Sequence, residues 1–216
     1  MRQQIIAMST ILGLMSSAQA ADSTSLQFSW DFAPQHYDLD VGDSFGREIS
    51  RRGTFDTNDR AGLRYLSDMG SIGANAGWFW GGEVAYARYD DEDLRFKTLS
   101  FSAIIGLSVE PVEWWRGSVH ARFGIAFDEA DISYDLLQAG GIASGVVSYG
   151  TSGIQYALGV SSDFILSQHI VLSAFAGVQG EYASAVSWWY YYSYPSSYVE
   201  VETYGASFGA ALGWRF

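Results

Sequence analysis

The chain has no cysteine among its 216 residues. No disulfide can brace it, and no lipid can be attached to an N-terminal thiol, so a lipoprotein anchor is excluded. Basic residues are also scarce: 12 Lys and Arg stand against 24 Asp and Glu, a formal charge of −12. That balance excludes nucleic acid as an attractive partner and suits loop surfaces facing outward. Beyond the first twenty residues, no stretch approaches the roughly 18 uninterrupted apolar residues of a membrane helix. No fixed ligand spacing such as a calcium loop occurs, so no metal or cofactor is expected. None of the three histidines, His36, His120 and His169, stands with a serine and a carboxylate at a convincing spacing, so no catalytic residue and no enzyme activity is assigned.

What is present is aromatic and alternating. Trp, Tyr and Phe make up 16 % of the chain, which also carries 24 glycines. Residues 1–20 begin with basic Arg2, continue through an apolar stretch from Ile5 to Met15, and end on Ala18-Gln19-Ala20. This reads as a signal peptide, cleaved before Ala21, that directs export. The remainder, 21–216, is expected to form one domain.

Strands announce themselves by period two. In 25–32, Leu26, Phe28, Trp30 and Phe32 alternate with Ser25, Gln27, Ser29 and Asp31. In 115–127, Trp115, Val119, Phe123, Ile125 and Phe127 oppose Arg116, Ser118, His120, Arg122 and Gly124. The same division runs through 98–109 and 153–164, and more weakly through 59–68, 77–89 and 169–182. In the last segment, about 199–216, Phe208, Ala210, Leu212, Trp214 and Phe216 share one side. A soluble sandwich or lipocalin-like barrel would carry Lys and Glu opposite its apolar set. Here that opposite set is mostly Gly, Ala, Ser and Gln, which fits the narrow lumen of an eight-stranded barrel, with lipid covering the apolar side.

The expected fold is therefore all-β, an eight-stranded antiparallel up-and-down transmembrane β-barrel. Ten strands result if Tyr37, Leu39 and Val41 begin an extra hairpin. Connections at 110–113 and 165–168 are short and expected on the periplasmic side. Those at 33–58, 129–147 and 183–198 are long and expected outside, with a tight acidic turn at Asp90 to Asp93.

The segment 1–20, the alternating strands and the terminal Leu212, Trp214 and Phe216 resemble the small outer-membrane β-barrels of Gram-negative bacteria. These include the membrane domain of outer-membrane protein A, outer-membrane protein X and the opacity proteins. The pattern often has a glycine where this sequence has Ala211. The resemblance implies a monomer in the outer membrane, in contact with lipid and lipopolysaccharide, whose terminal residues are read by the barrel-assembly machinery. Such proteins serve as anchors, adhesins, narrow conduits for small or hydrophobic solutes, and in some cases rim enzymes acting on lipopolysaccharide or peptides, so fold does not decide function. A structural or surface-binding role is expected, with the extracellular ligand unidentified.

Inside, the polar set includes Asp31, Arg64, Glu83, Arg116, His120, Arg122, Asp163, Glu181 and Arg215. Strand pairing through short turns sets Arg116 opposite Asp163 and Ser102 beside Arg122, from which Arg122 can reach Glu83. These residues are expected to form a plug of ion pairs. A proton or ion path, or catalysis, centred on His120 is the alternative. Outside, Trp188, Trp189, Tyr190, Tyr191, Tyr192 and Tyr194 form an uncharged aromatic run suited to adaptable binding, or equally to the aromatic girdle at headgroup depth. Asp90 to Asp93, and Asp128 with Glu129 and Asp131, are acidic clusters that read as solvated turns or divalent-cation contacts.

Overall fold

The computed structural model describes residues 24–32, 35–43, 45–142, 148–187 and 197–216. The segment read as a signal peptide, 1–20, and the aromatic run 188–196 lie outside them. The elements in order are β1 (Thr24–Phe32), β2 (His36–Asp43), β3 (Glu48–Thr54), β4 (Thr57–Ser71), β5 (Ala76–Asp90), β6 (Leu94–Val112), β7 (Trp115–Ile132), α1 (Tyr134–Ala139), β8 (Ser148–Ile165), β9 (Ile170–Ser187) and β10 (Ser197–Arg215). Successive strands pair antiparallel in the order β1-β4-β5-β6-β7-β8-β9-β10. β10 returns to β1, which closes a ring of eight. A closed ring leaves no unpaired edge, the condition for a sheet to cross lipid.

The extra hairpin β2–β3 exists, yet it adds no strand to the ring. β1 pairs with β10 up to Phe32↔Phe208, and β2 resumes on the same strand at His36↔Tyr204 without change of register. β3 returns opposite β2, and β4 continues it opposite β1, with one extra residue absorbed around Phe55 and Asp56. β1 with β2, and β3 with β4, are thus two long strands, each interrupted once. The segment 33–58, expected as a long outer loop, is instead mostly strand. Its apolar Tyr37, Leu39 and Val41 need a covered face, which the neighbouring strands provide.

Several other strands also run further than their lipid-facing pattern suggests. β6, β7 and β10 contain 19, 18 and 19 residues, about twice the 9 to 11 that cross the hydrocarbon. Following registered partners once round from Trp30, through Ala61, Tyr86, Leu99, Phe127, Ser152, Ser184 and Glu200, returns to the first strand at Asp40, ten residues higher. This stagger sets the strands at about 40° to the barrel axis.

Along this length the polarity of the two faces inverts. In the lower zone Phe28, Trp30, Phe123, Ile125, Phe208 and Leu212 point outward and are about half exposed, while Gln27, Ser29, Arg64, Glu83 and Ser173 point inward and are buried. In the upper zone the same parity carries charge outward and apolar groups inward. On β10, Glu200 and Glu202 are exposed, whereas Val199 and Val201 have no exposed surface. On β2, Leu39 and Val41 face Val201 and Val199 across the ladder. The upper lumen is thereby filled by one apolar cluster that includes Tyr37, Leu39, Val41, Phe55, Tyr89, Phe96, Ile132, Tyr149, Val199 and Val201. Phe55 lies between Tyr37, tilted against it, and Tyr89, stacked on it, at ring-centroid distances of 4.7 and 5.3 Å.

α1 caps the cluster. Ser133 accepts the Leu136 amide at 3.2 Å to start the helix, and Gly141, at φ +69°, helps end it. Leu137 and Ile142 drop into the core. The turns at this lower end are short, at residues 72–75, 113–114 and 166–169; the second has two residues where four were expected, and the third keeps its expected length.

Candidate functional site

The inward face of the lower zone forms a charged lock. Glu83, from β5, accepts from three guanidinium groups: Arg60 and Arg64 of β4, and Arg122 of β7 at 2.6 Å. Arg60 also binds Asp31 of β1, Arg64 lies 3.8 Å from Asp31, and Arg122 donates to Gln179 of β9 at 2.9 Å. All five charged side chains are buried. Five strands are thus tied across the lumen by one connected network, which compensates charges that would otherwise be costly in so dry a place. Arg64 also lies over the Phe175 ring, 4.2 Å from its centroid.

Of the residues expected here, Glu83 and Arg122 do meet, but by a different register. Ser102 faces Gly124, and Arg122 faces Ile104, because β6 runs on to Val112 and the turn closes at Glu113 and Trp114. Arg116 and Asp163 are registered partners, yet Arg116 turns away to Asp68, at 2.6 Å, and to Glu110, at 3.6 Å. Arg116 therefore belongs to a separate cluster at the short-turn end. His120 stands between the two clusters, its Nε2 against Gly159 so closely that a methyl there would meet it at 2.9 Å. It lines two cavities of about 20 Å³ each, room for a water molecule apiece. Arg60 and Asp68, central to these clusters, were not in the expected set. Arg60 shares the parity of Arg64, which is the signal that would have found it.

The two acidic sets named from the sequence, Asp90 to Asp93 and Asp128 with Glu129 and Asp131, do not gather as sets. Strand alternation sends Asp128 inward while Glu129 and Asp131 point outward to Lys97, at 3.0 and 3.4 Å. Asp90 is held by Arg88 and Arg95, at 2.6 and 2.7 Å, and Asp93 by Arg51 at 2.7 Å. Burial acts to raise the Asp90 carboxyl, but the two arginines hold it below its ordinary value. Tyr37 gives its hydroxyl to Asp91, and burial together with that carboxylate pushes its phenol well up. Among the described residues, no three His, Cys, Asp or Glu side chains converge as metal ligands. The binding candidates Trp188, Trp189, Tyr190, Tyr191, Tyr192 and Tyr194 fall outside the described residues.

At the other end, Leu212, Trp214 and Phe216 all point outward and are exposed. Trp214 stacks on His169 at 5.1 Å, and the Phe216 amide donates to the Thr24 carbonyl at 2.8 Å, on the seam where β10 meets β1.

A closed eight-stranded ring, staggered by ten residues and girdled below by outward-facing aromatics, defines an up-and-down β-barrel of the kind that crosses lipid. No protein-family model matches the sequence, and no curated protein does. Among solved structures, the chain is similar to the outer membrane protein OprG of Pseudomonas aeruginosa, at 13 % identity and a TM-score of 0.47, over 91 % of this chain and 96 % of that one. It is similar to the outer membrane protease OmpT of Escherichia coli, at 9 % identity and 0.47, over 91 % and 98 %. It is also similar to Ail, the attachment invasion locus protein of Yersinia pestis, at 17 % and 0.38, over 90 % and 98 %. At these values the likeness is one of barrel architecture, which the strand register already defines.

Proposed function

We propose that the protein is an outer-membrane barrel, exported through its segment 1–20, that is closed to solutes and holds a rigid β platform above the lipid for surface interactions. The observation that carries this reading is the apolar core in the upper lumen. A conduit keeps its lumen polar and open, whereas this lumen is filled twice, by the Glu83 lock below and by packed side chains above. Burying a core above the membrane has a physical use only if that part must hold its shape in water. The outward faces of β2, β3, β9 and β10, the cap α1, and the aromatic run 188–196 would then be the surfaces offered to a partner. Lipopolysaccharide would surround the rim as a monomer's lipid neighbour, and Leu212, Trp214 and Phe216 would serve the assembly machinery.

The test is conductance of the refolded protein in planar lipid bilayers. The closed reading expects no steps above the bare membrane. Reproducible single-channel steps from the wild-type protein would restore the conduit reading.

A further inference from the structure

Between the charged lock and the apolar core lies a layer of oxygen atoms that neither of them uses. Thr98 of β6, Asp128 of β7 and Thr151 of β8 are direct registered neighbours, all pointing inward and all buried. Glu181 of β9, 2 % exposed, completes the layer, its carboxyl beside that of Asp128. The hydroxyls of Thr98 and Thr151 lie beside the same Asp128 carboxyl. Even so, both Asp128 carboxylate oxygens, Glu181 Oε1, Thr98 Oγ1 and Thr151 Oγ1 lack an aligned hydrogen-bond partner. Five oxygens thus converge on one another from four consecutive strands. The one aligned contact is Gln155 Nε2, which donates to Glu181 Oε2 at 2.9 Å and fixes that carboxyl from below.

Among the described residues, no cationic side chain serves these two acids. Arg60, Arg64 and Arg122 are bound to Glu83, Asp31 and Gln179, and Lys97 points outward to Glu129 and Asp131. Two carboxylates facing each other in a dry lumen repel strongly unless a cation or a shared proton lies between them. An all-oxygen set with two carboxylates and two hydroxyls, and no nitrogen or sulfur, suits a hard cation that sheds its water. Calcium and sodium accept irregular oxygen cages, whereas magnesium holds its waters and demands an octahedron.

We propose that Asp128, Glu181, Thr98 and Thr151 form a buried site for a hard, dehydrated cation, which pins β6 to β9 together directly beneath the extramembrane core. The cation does by charge what the arginines do lower down.

The experiment follows thermal unfolding of the full-length protein in detergent, after exhaustive chelation and exchange into choline chloride. NaCl, CaCl₂ or MgCl₂ is then added at constant ionic strength. For wild type, a saturating cation raises the midpoint by roughly 5–10 °C, as expected for a ligand present at about a hundred times its dissociation constant. Calcium or sodium produces this, and which of them saturates at lower concentration names the ion; magnesium produces little. Thr98→Val, which keeps the shape and both carboxylates, weakens the response at least fivefold in concentration. Asp128→Asn with Glu181→Gln abolishes it while leaving the cation-free midpoint no lower than that of wild type. A wild-type midpoint indifferent to all three salts, or a response that survives in the doubly neutralised protein, overturns the proposal. So does a midpoint that ignores cations but falls between pH 6 and 9, which would assign a shared proton instead.

Discussion

Replacing Glu83 by alanine removes the hub of the lower lock. The carboxylate is 3 % exposed and is the common acceptor for Arg60, Arg64 and Arg122. Without it, Arg60 and Arg64 retain Asp31, but Arg122 keeps only the neutral Gln179 oxygen. Three guanidinium groups then share one carboxylate in a volume with room for little water. Breaking a buried pair from one side costs about 3–5 kcal/mol, mostly because the stranded charge stays desolvated. For a chain of this size that corresponds to a midpoint lowered by roughly 6–20 °C. Heat-modified mobility on gels reads it directly, since the folded barrel and the unfolded chain migrate differently. Glu83→Gln, which retains an acceptor without the charge, should fall between the two. Arg88→Ala, which breaks only the exposed pair with Asp90, should shift the midpoint by the equivalent of less than about 1 kcal/mol. Conductance should stay absent in Glu83→Ala, because the apolar core above does not depend on the lock. A Glu83→Ala midpoint within about 3 °C of wild type would refute the view that these charges are buried and mutually compensated.

Three further outcomes are expected. Leu39→Ala, in the upper core, should cost about 2–5 kcal/mol locally, and hydrogen exchange should show β2 and β3 losing protection while the lipid-facing parts of β7 and β8 keep theirs. Phe123→Arg, on the lipid face of β7, should destabilise by about 2–4 kcal/mol in unfolding from lipid vesicles, whereas Ser148→Arg, outward at the top of β8, should stay within about 0.5 kcal/mol. Burial acts to raise Asp43, but the Arg47 side chain and the amides of Arg47 and Phe45 hold its carboxyl below the ordinary 3.8. Its contribution to the β2–β3 turn is therefore complete above pH 4 and lost as pH falls through the depressed value. Asp43→Asn should remove that acid dependence, as followed by amide exchange of Arg47.

The lipid-facing half of this barrel was legible in the sequence because each of its strands alternates against small polar residues. Trp30 and Phe123 needed only parity to be set on the lipid side. The upper half was hidden by the same rule. Tyr37, Leu39 and Val41 alternate with His36, Asp38 and Asp40 as a soluble strand does, and their apolar set falls on the parity that faces the lumen lower down. A reading that assigns one parity to lipid throughout sees these residues as an exception and calls them loop. Nothing in the local sequence says that β2 continues β1 in register; the ladder to β10 supplies that. Glu83 and Arg122 were identifiable as inward charges. Their partners depended on a turn of two residues rather than four, a difference that moves Arg122 from Ser102 to Ile104. The acidic triplet Asp128, Glu129 and Asp131 is hidden for the reverse reason: its charges read as a solvated turn or a cation contact, but the strand continues and sorts its members to opposite sides.

The inversion of polarity along single strands is the central claim, and the absence of native cysteine makes it directly measurable. Single cysteines placed from 198 to 214 on β10 would be challenged with a membrane-impermeant maleimide from outside, and with a lipid-phase quencher after labelling of the refolded protein. Positions 200 and 202 should react from water, 208 and 212 should report lipid, and 199 and 201 should resist both probes while the barrel is folded. Ready labelling of 199 and 201 by the aqueous reagent would mean that the upper lumen is open, and the closed two-zone barrel would be wrong.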